Sequence, residues 1–386
     1  MMQAELALNI SPRATRIAVS VYFFLAGLCF ASWASRISDI QQKLQLTEAG
    51  LGTLLLALPV GLVVSLPFSG FFVQKYGSRM VAIIAATCYA YTLPFLGLAT
   101  HPWHLGVTLF CFGFFGNLLN ISMNTQAVGI ETIYGRSIIA SFHGLWSLAG
   151  FSGAAIGTLM VSQKIPPFTH FCIISVAEVI TVAISYKYLL LRDAQHADKQ
   201  PLFVKPDLYL LKLGLIAMCC MICEGAMFDW SGVYFRKVVL APEQLVTLGY
   251  TAFMSTMAGG RFAGDWLSER LGKKTMIQLS GIVITLGLLT AISFPYLLTS
   301  TIGFLLVGVG VSSVVPLVYG SAGKSKTMSP GVALAAVSTI GYFGFLFGPP
   351  VIGFIAQASS LRWSFALIAV LGFCTTLLST FTRVEK

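Results

Sequence analysis

Long apolar runs separated by short polar gaps extend from about residue 16 to residue 382. A membrane-spanning helix needs about 20 mostly apolar residues, and twelve runs reach that length. The first six lie near 16–36, 48–73, 80–99, 103–128, 137–161 and 169–191. The other six lie near 208–232, 245–268, 275–297, 299–320, 331–356 and 362–382. Numbered as spans 1 to 12, they predict an all-α polytopic membrane protein.

The longest polar stretch, RDAQHADKQPLFVKPD, separates the sixth span from the seventh. We predict an N-terminal six-helix bundle over 1–191, a cytoplasmic linker over 192–207 and a C-terminal six-helix bundle over 208–386. When alternate loops are assigned to opposite sides, eighteen of the 24 Lys and Arg residues fall on one side. The positive-inside rule makes that side cytoplasmic, together with both termini.

Composition excludes several other classes of protein. Hydrophobic residues make up 56% of the chain and charged residues only 10%, whereas soluble domains carry about 25% charged residues. The net charge of +10 comes without an aromatic-interleaved basic patch, so no nucleic-acid partner is expected. All eight cysteines lie in apolar runs, including CCMIC at 219–223. Packing therefore explains them better than disulfides or metal ligation, and no metal or cofactor is predicted.

The two halves repeat at a nearly constant offset. Gly77 and Gly272 follow spans 2 and 8 at an offset of 195, and Trp33 and Trp230 end spans 1 and 7 at an offset of 197. HGLWSLAGFSGAAIG in span 5 is echoed by IGYFGFLFGPPVIG in span 11. This pattern predicts two homologous, pseudo-symmetric six-helix bundles with a site at their interface, an architecture that transporters use.

The loop after span 2, GFFVQKYGSRM, resembles the G-x-L-a-D-r-x-G-r-r signature of the major facilitator superfamily, with Gln74 in the aspartate position. The resemblance covers nearly the whole chain and implies the major facilitator fold, with spans 1, 4, 7 and 10 lining a central cavity. It also implies a cytoplasmic latch at the two copies of the loop. The matching residues are Gly70, Lys75, Gly77 and Arg79 in the first copy, and Glu269, Arg270 and Gly272 in the second.

FFLAGLCFASWASR, HGLWSLAG and EGAMFDW resemble more narrowly the YbjJ-like bacterial inner-membrane branch, which is related to fucose-permease-type sugar transporters. This resemblance implies a multi-pass protein of the bacterial cytoplasmic membrane and favours a functional monomer in the lipid bilayer. It implies no particular solute.

Three asparagines in span 4 form a polar stripe. Asn117, Asn120 and Asn124 fall within an arc of about 60° at 100° per residue. Unpaired amides in hydrocarbon cost free energy, so we expect the stripe to face a wetted cavity and to bind a hydroxyl-rich solute. The alternative is interhelical hydrogen bonding.

Aromatic side chains are candidates for further solute contacts. These candidates are Trp33, Tyr319 and Tyr342. The alternative for Trp33 is anchoring at the membrane interface, and the alternative for the tyrosines is packing.

Ionisable residues within spans are costly and require a reason. Glu224 in span 7 is the candidate carrier of a coupling proton, with His143 in span 5 as a second candidate. Glu178 in span 6 is a candidate for a structural hydrogen bond, because helix 6 usually does not face the cavity in the resembled fold. For His143 the alternative is a packing histidine.

An outer gate is the last candidate site. Arg36 ends span 1 and Asp229 ends span 7, so we predict that they pair in the inward-open state above Trp33 and Trp230. The alternative is that Arg36 pairs with nearby Asp39 and that Asp229 is solvated.

Three functions are compatible with a polytopic helical protein. The first is secondary active transport of a small polar, sugar-like solute, coupled to protons as in a symport. The second is proton-driven efflux of amphipathic drugs or metabolites on the same fold. The third is a membrane enzyme, which is not expected because the chain has no H-E-x-x-H or G-x-S-x-G motif. A P-loop is also absent from the sequence, which disfavours ATP-driven transport.

Overall fold

The computed structural model describes residues 11–136, 138–191, 193, 206–325 and 327–382. Within these ranges the regular structure is entirely helical. The long helices of spans 1 to 6 are Pro12–Ala34, Ala57–Tyr76, Ser78–Leu98, Pro102–Tyr134, Ile139–Ser162 and Pro167–Ser185. Those of spans 7 to 12 are Leu208–Lys237, Leu248–Leu271, Lys273–Ser293, Leu297–Ala322, Pro330–Ala358 and Leu361–Thr380. Shorter helical segments are Ile37–Lys43, Glu48–Leu55, Tyr186–Tyr188 and Glu243–Leu245.

Eleven of the helical segments in the described ranges are long and apolar enough to cross a membrane. The helix of span 8, Leu248–Leu271, has the required length but is less apolar. Arg261, Asp265, Glu269 and Arg270 all lie within it. These charged residues explain why the helix is less apolar than the others.

Local sequence explains several helix ends. Ser11 accepts a hydrogen bond from the backbone N–H of Ala14 ahead of Pro12, and Asp207 accepts one from Leu210 at the start of span 7. Spans 2 and 3 meet at Gly77 with φ of 81°, and spans 8 and 9 meet at Gly272 with φ of 79°. Glycine adopts positive φ at little cost. The same geometry at the two related loops supports the internal repeat.

The chain divides into two compact units. The first comprises Met1–Gln45 and Ala57–Ala197, and the second comprises Leu46–Leu56 and Asp198–Lys386. The short helix Glu48–Leu55 thus clusters with the second unit although it precedes span 2. The linker predicted over 192–207 lies outside the described residues except for Asp193, Pro206 and Asp207.

Equivalent helices pair within each unit. In the first unit span 1 packs on span 5, span 2 on span 4, and span 3 on spans 4 and 6. In the second unit span 7 packs on span 11, span 8 on span 10, and span 9 on spans 10 and 12. Helices in membranes associate through close backbone packing, and each unit repeats the same set of partners.

The short helix Glu48–Leu55 packs closely on span 11. A Cβ on Gly52 would lie 2.7 Å from the Pro349 carbonyl oxygen, so only a hydrogen atom fits there. The Ala49 N–H donates to Gln357 Oε1 at 3.1 Å. Glu48 Oε1 also pairs with Lys237 Nζ, at the end of span 7, at 2.6 Å. These contacts attach the segment to the second unit.

Candidate functional site

A charged pair lies inside the helices of the second unit. Glu224 is in the middle part of span 7 and Arg261 is in span 8. Arg261 Nη2 donates to Glu224 Oε1 at 3.1 Å. The Glu224 side chain is 7% exposed and the Arg261 side chain is 21% exposed. Two opposite charges that lie this close in a poorly solvated environment attract strongly.

Two tyrosines lie near Glu224. Tyr319 on span 10 and Tyr342 on span 11 both interact electrostatically with Glu224. Tyr319 also reaches span 11, because a Cβ on Gly341 would lie 3.7 Å from its hydroxyl oxygen. Within the described ranges the buried Tyr319 hydroxyl has no hydrogen-bond partner, and Tyr342 is 45% exposed. The structure therefore brings Glu224 together with both tyrosines named from the sequence.

Sequence reasoning missed Arg261 because it was counted among the basic residues of the cytoplasmic side. Arg261 lies within predicted span 8, and the structure pairs it with the candidate proton carrier. A signal was present in the stretch MAGGRFAGD, where one arginine interrupts small and apolar residues. A charge at that depth is costly unless it is paired or hydrated, and only the fold shows that Arg261 pairs with Glu224.

The asparagine stripe divides into two local arrangements in the first unit. Asn117 is buried and its Nδ2 donates to Ser65 Oγ on span 2 at 2.6 Å. Asn124 Nδ2 donates to the Asn120 backbone oxygen at 2.8 Å and to Asn120 Oδ1 at 3.0 Å. Asn120 and Asn124 are partly exposed. Asn117 thus makes the interhelical bond considered as the alternative, and solute binding by the three residues stays a prediction.

Trp33 and Trp230 are both buried, at 1% and 0% exposure. Neither indole nitrogen has a hydrogen-bond partner within the described residues. Such burial does not suit a tryptophan that anchors the protein at the membrane interface.

His143 is exposed on span 5, and its ring lies edge-on to Phe23 with 5.3 Å between the centroids. Solute binding by Trp33 and proton coupling by His143 stay predictions.

Arg36 has partners within its own unit. Its Nη1 pairs with Asp39 Oδ2 at 2.6 Å, and its Nε donates to His170 Nδ1 at 3.3 Å. The Asp39 pair is the alternative that was considered for this residue. Asp229 belongs to the second unit, where it interacts electrostatically with Tyr250. An outer gate formed by Arg36, Asp229 and Trp230 stays a prediction.

The basic residues predicted for the latch contact aromatic rings. Lys75 Nζ lies 5.4 Å from the centroid of the Phe71 ring, Arg79 Cζ 5.9 Å from that of Tyr186, and Arg270 Cζ 4.2 Å from that of Trp266. Glu269 is exposed. A Cβ on Gly70 would meet nothing within 4 Å. Latching by these residues stays a prediction.

A carboxylate that sequence reasoning did not single out lies at the loop between spans 2 and 3. Asp193 Oδ2 accepts a hydrogen bond from the Ser78 N–H at 2.7 Å, and its Oδ1 accepts from the Ser78 hydroxyl. Gln126 on span 4 donates to Ser78 Oγ at 2.6 Å and accepts from the Leu190 N–H at 2.8 Å. This network, Ser78, Gln126, Leu190 and Asp193, joins spans 3, 4 and 6 beside Gly77. The loop thus has a carboxylate from the end of span 6, whereas Gln74 occupies the aspartate position of the motif.

Comparisons with known proteins agree with this architecture. The sequence profile of the Major Facilitator Superfamily matches residues 18–329. An uncharacterized MFS-type transporter of Yersinia pestis is 34% identical over 357 residues, which cover 92% of each chain.

Two solved structures are similar in fold. The nucleoside transporter NupG has a TM-score of 0.73 at 14% identity, covering 96% of this chain and 100% of that chain. A bacterial homologue of the human lysosomal transporter Spinster, inward-facing and occupied, has a TM-score of 0.77 at 12% identity, covering 96% of both chains. The predicted fold, twelve transmembrane helices in two pseudo-symmetric six-helix bundles, is confirmed. The chain belongs to the major facilitator superfamily and is a multi-pass membrane transporter.

Proposed function

We propose that the protein moves a small polar, sugar-like solute across the bacterial cytoplasmic membrane by alternating access, coupled to protons through Glu224. It works as a monomer with both termini in the cytoplasm, and belongs to the YbjJ-like branch related to fucose-permease-type transporters. The observation that carries the coupling is the Glu224–Arg261 pair inside the second unit.

The pair supports coupling because only one of its members can exchange a proton. Arginine stays protonated in proteins, so Glu224 is the member that can lose its charge. A proton on Glu224 removes the charge–charge attraction to Arg261 Nη2. Opposite charges this close in a poorly solvated site attract more strongly than they would in water, so the loss of this attraction can bias an equilibrium between two conformations. Protonation of Glu224 can therefore be linked to the movement that carries the solute.

The polar nature of the solute is supported by the amides of span 4. Asn120 and Asn124 are partly exposed and retain hydrogen-bonding groups beyond the bonds between them. Each amide has two donors and an acceptor, which suit hydroxyl groups. Tyr319 and Tyr342 provide hydroxyls near Glu224 in the second unit.

The experiment that tests coupling is uptake of labelled sugars by cells and proteoliposomes with an imposed proton gradient. Glu224→Gln should abolish uphill accumulation because the amide cannot carry the proton, while exchange between solute pools continues. Glu178→Gln is the matched control, since Glu178 is also a buried carboxyl group but lies in span 6. Uphill uptake by Glu224→Gln at the wild-type rate would remove Glu224 from the mechanism.

A parallel drug-resistance screen in the same cells addresses efflux. Proton-dependent resistance to amphipathic compounds, without accumulation of any sugar, would replace the uptake proposal with the efflux alternative.

A further inference from the structure

Two lysines meet at the end of the last span in the second unit. Lys212, near the start of span 7, donates from Nζ to the Phe381 carbonyl oxygen at 3.0 Å. Lys274, at the start of span 9, donates from Nζ to the Thr380 carbonyl oxygen at 2.9 Å. The two acceptors are consecutive in the chain at the end of span 12. Three helices therefore bring two ammonium groups close together.

The contacts with span 12 use only part of each ammonium group. The last carbonyl groups of a helix have no partner within the helix, and a cation near them is favourable. Lysine has three donors, of which one reaches a carbonyl oxygen in each case. Within the described residues neither Lys212 nor Lys274 forms an ion pair, and both are partly exposed. The two lysines thus retain donors and positive charge for an anionic partner.

An exposed apolar stripe on span 12 leads to these lysines. Phe373, Leu377 and Phe381 follow one another at every fourth position, and all three are exposed. Side chains at this spacing share one face of a helix. Span 12 is apolar enough to cross a membrane, so its exposed apolar face suits contact with acyl chains. Phe381 joins the two features, because its ring is 66% exposed and its carbonyl oxygen accepts from Lys212.

We propose that this part of the second unit binds an anionic phospholipid. The lipid phosphate accepts hydrogen bonds from Lys212 and Lys274, and an acyl chain lies along the stripe of Phe373, Leu377 and Phe381. The lysines are on the side that the distribution of Lys and Arg predicts to be cytoplasmic. Basic groups between helices on that side of a membrane protein suit the headgroups of anionic lipids.

Charge distinguishes an anionic lipid from a zwitterionic one at this position. Phosphatidylglycerol has a single net negative charge, which complements the two ammonium groups. Phosphatidylcholine has the same phosphate but also a quaternary ammonium group, which the lysines repel. A free phosphate ion has the charge but no acyl chain for the stripe on span 12. The combination of lysines and exposed apolar side chains therefore favours a phospholipid with net negative charge.

The test measures the Tm of the full-length protein in detergent with added lipid. The probes are dioctanoyl phosphatidylglycerol, dioctanoyl phosphatidylcholine and inorganic phosphate, with sodium chloride added to equalise ionic strength. A molecule that binds only the folded state raises the Tm. We expect phosphatidylglycerol to raise the wild-type Tm, whereas phosphatidylcholine and phosphate at the same concentration leave it unchanged.

Lys212→Gln and Lys274→Gln test the headgroup contacts, because glutamine removes the charge and keeps a polar side chain. Each should raise the phosphatidylglycerol concentration for a half-maximal Tm shift about fivefold, and the double variant about 25-fold, from the usual contribution of one lysine at an anionic surface. Lys212→Arg/Lys274→Arg keeps both charges and should respond like wild type.

The matched control for the loss of two charges is Lys187→Gln/Lys324→Gln. Both lysines are exposed and lie on the same predicted side, but on spans 6 and 10 rather than beside span 12. This variant should keep the wild-type response to phosphatidylglycerol. An equal loss of response in the control and in Lys212→Gln/Lys274→Gln would show that only the overall charge matters, which contradicts a site.

Other results would also overturn the proposal. They are the absence of a shift by phosphatidylglycerol, an equal shift by phosphatidylcholine or by phosphate alone, and a wild-type response of the double glutamine variant. If that variant fails to fold, the single variants decide, since an unchanged response of both contradicts the headgroup contacts. The measurement uses no transported solute, so its failure leaves the transport proposal untouched.

Discussion

Asn117 and Ser65 form a buried hydrogen bond of 2.6 Å between spans 4 and 2. An asparagine that was singled out for a solute therefore also holds two helices together. Ser65 donates in turn to the Leu62 carbonyl oxygen at 2.8 Å, so its hydroxyl is used as both acceptor and donor. The contribution of this hydrogen bond to the free energy of unfolding can be measured.

We predict that Asn117 and Ser65 are coupled by about 0.6 kcal/mol, the average for interhelical side-chain bonds in membranes. A double-mutant cycle with Asn117→Ala, Ser65→Ala and the double variant measures this coupling from free energies of unfolding. Asn120→Ala combined with Ser65→Ala is the control and should be additive, because Asn120 bonds with Asn124 instead. Additivity in the Asn117 cycle would show that the bond does not contribute.

At the scale of single elements, two carboxylates stabilise the starts of helices. Asp193 lies at the N-terminus of the helix Ser78–Leu98, and Asp207 precedes the helix Leu208–Lys237. The N-terminus of a helix attracts negative charge because its first N–H groups have no partner within the helix. The two residues lie at opposite ends of the polar stretch that separates the two halves of the sequence.

For Asp193 we predict that replacement by alanine lowers the free energy of unfolding by about 1 kcal/mol. The reason is the loss of both bonds to Ser78, which lies in the network that includes Gln126. Asp193→Asn keeps an acceptor without the charge and should lose less. Chemical denaturation of the purified variants measures the difference. Equal stability of Asp193→Ala and wild type would exclude a capping role.

For Asp207 we predict a contribution that depends on pH. The bonds from the Leu210 N–H and the Thr327 hydroxyl lower the pKa of Asp207 below its usual range. The unfolded chain therefore binds a proton more readily than the folded chain. The stabilisation is complete above the usual aspartate pKa of about 3.9, and it is lost as the pH falls through the lower, folded-state value.

The measurement for Asp207 is the Tm of wild type minus that of Asp207→Ser, followed from about pH 7 to about pH 3. Serine retains a neutral cap, so the variant isolates the charge. The difference should be positive at neutral pH and should shrink in acid. A difference that does not change with pH would show that the charge of Asp207 does not stabilise the helix.

At the scale of the whole molecule, the distribution of charge predicts the orientation in the membrane. Most Lys and Arg residues fall in alternate loops, and this bias predicts that the linker and both termini lie in the cytoplasm. Gln163 follows span 5 on the predicted outer side, and Ser325 follows span 10 on the predicted inner side. Neither residue is charged, so replacing it leaves the charge distribution unchanged.

We predict that Gln163→Cys reacts with a membrane-impermeant maleimide in intact cells, whereas Ser325→Cys reacts only after the cells are opened. Both substitutions are made after the eight native cysteines have been replaced. Labelling of Ser325→Cys but not of Gln163→Cys in intact cells would show that the orientation is opposite to the predicted one. The result is independent of the solute and of the coupling ion.

The amino-acid sequence by itself determined the class, the number of spans and the repeat of this protein. These properties depend on runs of about 20 apolar residues and on short motifs that recur at an offset of about 195 residues. Each run and each motif is recognised within a short stretch of the sequence. The repeated loops with Gly77 and Gly272 are an example, because positive φ at a tight junction favours glycine wherever it occurs.

Only the tertiary structure decided which polar residues meet. Glu224 and Arg261 are 37 positions apart and lie on different helices, and their pairing depends on how spans 7 and 8 pack. The same holds for Asn117 with Ser65 and for Asp193 with Ser78, which join residues 52 and 115 positions apart. Hydropathy records how apolar a segment is, but not the rotation of a helix about its axis. That rotation, set by packing against neighbouring helices, determines which buried charge finds a partner.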